Sequence, residues 1–475
     1  MSQSISLPGQ QIPAWLKNML FGGFVFFICW GGIIAYWRMN KSAPGTSEIL
    51  LHLFALPAAL LLAFWAGSKA LHSLKMAAAA QPSVQPQQAA SAPLPAPPLA
   101  ILAAALRSPH GASVDDLADA IAANKARADL DRELIDDDGF PVMSARSADA
   151  GDDQLREEVS DWLTRNGMAT LRFSEEQWRA LTLASGVTSD LVMRATGEFV
   201  APDHSAPMLQ LMPTLPPDWP AEQRRAASLW LKYTATQFGW PSDRIDVPAD
   251  LIAPVADIAP SAIFARLARE AGTTVSPMLA LIVACASHIG QQTVDEWAAK
   301  GILFTSSQPH GLIPGEGAAG VLVTNRTRAE TIESMAYVLL DDFAETRLDA
   351  SADEVKRVDA ALLGGLADTV CKRAAVRLPT ISMIIGDAGH RPSRVYELMG
   401  FVSATFPLLD ATDDVAQVGT ATGTAGAVPF ITGLALARYY VLEREASALF
   451  VSNEDPYRRA VGLVRSALAL PLTSF

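Results

Sequence analysis

The chain has 475 residues, enough to bury a sizeable core and to hold more than one structural unit. Half of the residues are hydrophobic and 18% are charged, which points to apolar segments beyond an ordinary soluble core. The net charge of −13 argues against a nucleic-acid partner, because phosphate repels an acidic body.

The apolar excess starts near the N-terminus. Residues 20–37 form an uncharged run rich in Phe, Ile and Gly, and residues 49–66 form a second, interrupted only by His52 and Pro57. Each is about 18 residues long, close to the shortest helix that crosses a bilayer. Trp30, Tyr36, Trp37 and Trp65 stand where amphipathic rings favour the interface. A second span follows the first and no small-residue cleavage site stands out, so residues 1–76 read as a membrane anchor rather than a cleaved signal peptide. The short loop from Arg38 to Glu48 puts both ends of this hairpin on one side. Residues 1–76 carry +4, so the rest of the chain carries −17. Lys17, Lys69 and Lys75 against Arg38 and Lys41 is too small an asymmetry to orient the hairpin. Residues 77–98 are almost entirely Ala, Pro, Gln and Ser, a semi-extended tether.

The body begins near Leu99. Residues 99–106 form a buried strand or a short helix by periodicity alone, broken by Ser108-Pro109-His110-Gly111. Ser113 then caps an amphipathic helix, and Ser174 with Gln177 forms a capping box. A strand is predicted over 208–215, and a helix over 221–238 that ends at Gly239-Trp240-Pro241. Another helix over 261–270 stops at Ala271-Gly272, and 278–286 reads as a strand buried on both faces. Gly311 to Gly317 punctuates a turn before a run of small and branched residues, and a long apolar helix ends near Tyr440. The alternation argues for an α/β body with parallel or mixed sheets, and no short-period repeat is visible. The three cysteines, Cys29, Cys285 and Cys371, supply no disulfide framework or metal spacing. Trp219, Trp230, Trp240 and Trp297 read as core or helix-packing residues.

The Pro314-Gly315-Glu316-Gly317-Ala318-Ala319 segment resembles the turn that opens a core strand in β-ketoacyl synthases and their thiolase-fold relatives. Residues 99–121 are similar to that family's opening strand, turn and helix. Residues 281–287 are similar to the strand before the turn. Residues 384–389 stand where the family has an active-site loop, and Gly419 to Gly426 is similar to its G-H-x-x-x-A-x-G loop. The resemblance spans about 99–475. It implies a thiolase-like α/β body of five layers, α-β-α-β-α, preceded by the two-helix transmembrane hairpin, with halves at 99–260 and 261–475. It also implies that Glu316 specifies the fold.

The family's chemistry needs a thiolate at a helix N-terminus and two basic or hydrogen-bonding groups near it. Cys285 mimics the nucleophile but lies about 30 residues before Gly315, roughly half the family's spacing, in an apolar run that suits a core strand. The nucleophile region is expected near 257–265, where Pro260-Ser261-Ala262 opens a helix without a cysteine. Thr420 stands at one family histidine, Asp387 or Ala388 at the other, and His390 is displaced. The expectation is a pseudoenzyme with no cofactor and no metal; if it is active, Cys285, Ser287, Asp387 and His390 must converge.

A degenerate thiolase-like body on two N-terminal spans also resembles, in layout, the adaptors of type VI secretion lipase effectors. That resemblance implies recruitment of a phospholipase effector to a secretion spike protein, at the inner membrane with the body in the cytoplasm. A homodimer through a sheet edge is also implied. The alternative is a membrane-associated acyl-transfer or condensing enzyme acting on acyl-carrier or lipid substrates.

Overall fold

The apolar run at the start of the body is a strand, β1 (Leu99–Arg107), buried at every residue but the last. Periodicity could not separate strand from helix here; antiparallel partners on both sides, β7 and β8, decide it. The computed structural model describes Trp30 and residues 96–201, 203, 205–249, 259–273, 278–354 and 359–467. The expected spans at 20–37 and 49–66, Trp30 apart, and the tether up to residue 95 lie outside these. Among the described residues no helix is long and apolar enough to cross a membrane.

After β1 comes α1 (Val114–Ala122). The Ser113 hydroxyl accepts from the Asp116 N–H at 3.0 Å and the Asp116 carboxylate accepts from the Ser113 N–H at 3.1 Å. A hairpin, β2 (Asp129–Ile135) and β3 (Pro141–Ser144), leads to α2 (Asp153–Arg165) and α3 (Glu175–Phe199), which begins with the expected Ser174–Gln177 box. The first half continues through β4 (Leu209–Thr214), α4 (Ala221–Gln237), β5 (Ile245–Asp246), α5 (Pro260–Thr273), β6 (Leu279–Ser287), α6 (Gln291–Ala299) and β7 (Glu316–Asn325). After α7 (Arg326–Ala329) the second half opens with β8 (Val338–Leu340), β9 (Ala344–Arg347), α8 (Ala361–Arg373), β10 (Ile381–Gly386) and α9 (Pro392–Thr405). It closes with β11 (Val415–Gln417), α10 (Val418–Thr422), α11 (Val428–Arg444), β12 (Ser447–Ser452) and β13 (Arg458–Ser466).

The strands reveal a duplication that the residues hide. The sheet runs β5-β4-β6-β7-β1 on one side and β11-β10-β12-β13-β8 on the other, joined where β1 pairs with β8. Counted within each half, both orders are 3-2-4-5-1. In both, the first three strands are parallel and the fourth, β7 or β13, is antiparallel to its neighbours. The junction therefore falls between β7 and β8, not at 260/261. Dividing at 260/261 assigns α5, β6 and β7 to the wrong half, because the sequence carries no visible echo of the repeat.

Alternation along the strands builds the layers. In β6, Ala280, Ile282 and Ala284 join one apolar cluster with α5 and α11, while Leu281, Val283 and Cys285 join another under α3 and α4. In β12, Phe450 faces α11, and Leu449 and Val451 face α8 and α9. Successive side chains point to opposite faces, so a strand covered on both sides reads as a continuous apolar run. The result is α-β-α-β-α, with α5 and α11 as the middle layer. Phe264 of α5 stacks on Phe430 of α11 at 6.2 Å. The helix expected to stop at Ala271-Gly272 runs to Thr273 instead. A side chain at Gly272 would lie 3.0 Å from the Pro97 ring, so that glycine admits the incoming chain rather than ending the helix.

Candidate functional site

The middle-layer helices begin at a shared cavity. The start of α5 (Pro260, Ser261) and the approach to α11 (Gly423 to Ala427) meet the ends of β4 and β10 around a space of about 430 Å³. Left-handed backbone at Gly423 (φ 62°) and Gly426 (φ 55°) turns the chain into α11, where a side chain would be strained. Ser261, Asp387, His390, Ser452 and Glu454 line the space, together with Arg224, Arg391 and Arg459.

Cys285 is not there. Its side chain is 2% exposed and packs in the outer layer beneath α3, on the face of β6 away from α5. Burial pushes its thiol up to about 12, so no thiolate forms at neutral pH. Ser287 is also elsewhere, donating from Oγ to Glu316 Oε2 at 2.8 Å. The residues an active enzyme would require are thus split between the cavity, lined by Asp387 and His390, and the outer face of β6, which carries Cys285 and Ser287.

Asp387 sits at the end of β10 and is spent on structure. Its carboxylate accepts from the Ser452 hydroxyl, from the Asn453 N–H at 2.8 Å and from the Glu454 N–H at 3.1 Å, tying β10 to the turn after β12. Burial, with Glu454 nearby, pushes its pKa up to about 6 against the hydrogen bonds that lower it. His390 stands edge-on to Phe304, 4.9 Å between centroids at 85°. Burial lowers its pKa, opposed by Glu454 and the Gly311 backbone. Among the described residues no hydrogen bond joins Asp387 to His390, and Nε2 of His390 has no partner. Thr420, at the family's histidine position, donates locally to the Gln417 carbonyl at 2.7 Å.

The Asp387 proton has a readable consequence. A carboxyl whose folded pKa is raised holds its proton more tightly in the folded state. Its contribution to stability is complete below about pH 4 and is lost as pH rises towards 6, by about 2–3 kcal/mol. In Asp387→Asn the Ser452 hydroxyl can turn to accept from the amide. Thermal midpoints of the two chains should therefore diverge between pH 4 and 6, with the variant losing less stability. Parallel curves would show that Asp387 does not titrate there.

Glu316, fully buried, is the centre of a second network. Arg179 donates from Nη2 to Oε1 at 2.5 Å and from Nε to Oε2 at 2.8 Å, and the Ser147 N–H donates to Oε1 at 2.7 Å. Glu316 was legible as a structural residue from its motif. Arg179, 137 positions away, was not. Nor was the rim cluster in which Arg391 binds Glu454 at 2.6 Å and Asp353 at 3.1 Å, while Arg394 binds Asp353 at 2.9 Å. Only the fold brings those charges together.

No protein-family model matches the chain, and no curated protein matches it. Solved structures do. The ketosynthase from module 6 of the bacillaene synthase of Bacillus subtilis 168 is 12% identical at a TM-score of 0.54, over 78% of this chain and 72% of that one. The ketosynthase from module 1 of the bacillaene synthase of Bacillus amyloliquefaciens FZB42 gives 11% and 0.52 over 81% and 75%. A type II PKS acyl-carrier protein in complex with its ketosynthase bound to the hexaketide gives 11% and 0.52 over 78% and 100%. The body has a thiolase-like fold. Identity this low shows the architecture alone, so the thiolase-like body's chemistry rests on its own side chains.

Proposed function

We propose that this thiolase-like body is degenerate and works by binding rather than by carbon–carbon bond formation. The observation that carries this is the mouth of α5. Pro260 and Ser261 open the helix onto the cavity, and the lining holds no thiol. A helix N-terminus activates a cysteine placed at it by favouring the thiolate; a serine hydroxyl there, without a base, stays a poor nucleophile. Neither Asp387, committed to the 452–454 backbone, nor His390, against Phe304, stands in hydrogen bond to Ser261 among the described residues.

The finer form of the proposal is an adaptor, anchored by the 1–76 hairpin, that recruits a phospholipase effector to a secretion spike. Its support is the layout of the sequence: two apolar runs, a Pro/Ala tether and a body without its nucleophile. The competing reading is an acyl-transfer enzyme, favoured by the survival of Ser261 and His390 around one cavity.

One experiment separates them. Full-length chain in detergent is incubated with an acyl thioester and its intact mass is measured, beside a Ser261→Ala variant. The binding reading expects an unmodified mass in both. A mass increase of one acyl group that disappears in Ser261→Ala would overturn it. Affinity purification from the native host then distinguishes a lipase and spike protein from carrier-protein partners.

A further inference from the structure

A second cleft, of about 640 Å³, lies in the first half between the turn after β1, the end of α1 and the β2–β3 hairpin. It is unusual for its charge. The chain outside residues 1–76 carries −17, yet this cleft is lined by Lys125, Arg127, Arg132 and Arg146 against Asp129, Asp131 and Glu133, a net charge of +1. Arg146 is neutralised: it binds Asp131 at 2.8 Å and Glu133 at 3.1 Å. Lys125, Arg127 and Arg132 are exposed and have no ion-pair partner among the described residues. The remaining carboxylate of the cleft, Asp129, accepts from its neighbour's Leu130 N–H at 2.8 Å. On one wall, the buried Nε2 of His110 has no hydrogen-bond partner.

The basic groups are held on an ordered frame. Asn124 takes a left-handed conformation (φ 54°) that ends α1, and the Lys125 N–H returns to the Ala120 carbonyl at 2.8 Å. Arg127 follows two residues later, and Arg132 projects from a strand of the hairpin. Asp131 within that strand is locked to the Ser144 hydroxyl at 2.6 Å and to Arg146. Against these three cations stand only Asp129 and the second carboxylate on Arg146, so the cleft keeps a positive excess that an anion would balance. Two planar guanidinium forks and an ammonium suit a tetrahedral oxyanion, which takes paired N–H···O bonds. The cleft's volume suits a small molecule.

We propose that this cleft binds a phosphate-bearing small ligand through Lys125, Arg127 and Arg132. The site is separate from the α5 cavity and holds whether or not that cavity is catalytic. The phosphate could be carried by a soluble compound or by a lipid headgroup. The net charge of −17 outside residues 1–76 disfavours an anionic bilayer, so the soluble form is expected.

The test is calorimetric titration of detergent-solubilised full-length chain with inorganic pyrophosphate. Vesicles containing phosphatidic acid serve as the second arm, and Arg127→Gln and Arg132→Gln as variants. Both arginines are exposed, so the variants should fold, and an unchanged thermal midpoint checks this. The expected result is saturable pyrophosphate binding that weakens with added salt and by about tenfold or more with each substitution. Binding only to the vesicles, with the same dependence on Arg127 and Arg132, would assign the phosphate to a lipid headgroup. No saturable binding in either arm, or binding that both variants retain at full strength, would overturn the proposal.

Discussion

Replacing Glu316 with alanine should lower the unfolding free energy by about 3–5 kcal/mol, the cost of breaking a buried pair and leaving its cation behind. Glu316 is fully buried and answers four donors: both forks of Arg179, the Ser147 backbone and the Ser287 hydroxyl. Removing it leaves a guanidinium 12% exposed without a counter-charge and strands two further donors. Glu316→Gln keeps the shape and should cost less, since its carbonyl oxygen can still accept. The pairing of Arg179→Met with Glu316→Leu should recover much of the loss, because an apolar pair carries no desolvation penalty. Guanidinium denaturation of the full chain measures all of these. A loss under about 1 kcal/mol for Glu316→Ala would mean that the network contributes little.

Gly315→Ala should be nearly as damaging, at about 3 kcal/mol, the upper end of overpacking costs. A Cβ at Gly315 would lie 2.0 Å from the Thr422 carbonyl oxygen and 2.8 Å from Gly423 Cα. Neither side can give way. Pro314 accepts from the Ala145 N–H at 2.8 Å, Ile313 from the Thr424 N–H at 2.9 Å and Gly315 itself from the His288 N–H at 3.0 Å. The methyl meets backbone held in place by three other segments, so relief requires moving the loop that opens α11 and the cavity with it. Gly365→Ala is the control. In α8 that position has nothing within 4 Å, and alanine there should stabilise by about 0.5–1 kcal/mol through helix propensity. Equal effects at the two positions would remove the packing argument.

These two positions also show what a motif conveys and what it conceals. The Pro314–Ala319 segment was readable as a fold signature, and its strand, β7, is where the turn predicted it. The motif does not say why its glycine is glycine. That reason is Thr422, 107 positions on, brought against it by the pairing of residue 314 with residue 424.

Local elements were legible wherever one physical signal was sufficient. Ser113 and Ser174 marked helix starts because a capping hydroxyl needs only the next three residues. The uninterrupted apolar run of β6 marked a strand covered on both faces, whereas the run of β1 left strand and helix open until its two antiparallel partners decided it. The missing thiol at the start of α5 was legible too, since absence from a composition of three cysteines requires no geometry. Tertiary structure alone decided the rest. The 3-2-4-5-1 repeat lives in strand order and direction, which the duplicated halves keep while their residues diverge, so the junction at β7/β8 could not be read from the chain. Cys285 and Ala286 are adjacent in sequence and face opposite layers, and only the register of β6 sends the thiol away from the cavity. The surplus of positive charge in the hairpin cleft is invisible in a chain of net charge −13. Charge composition is a sum over the whole chain, whereas a binding surface depends on which charges the fold leaves unpaired and side by side.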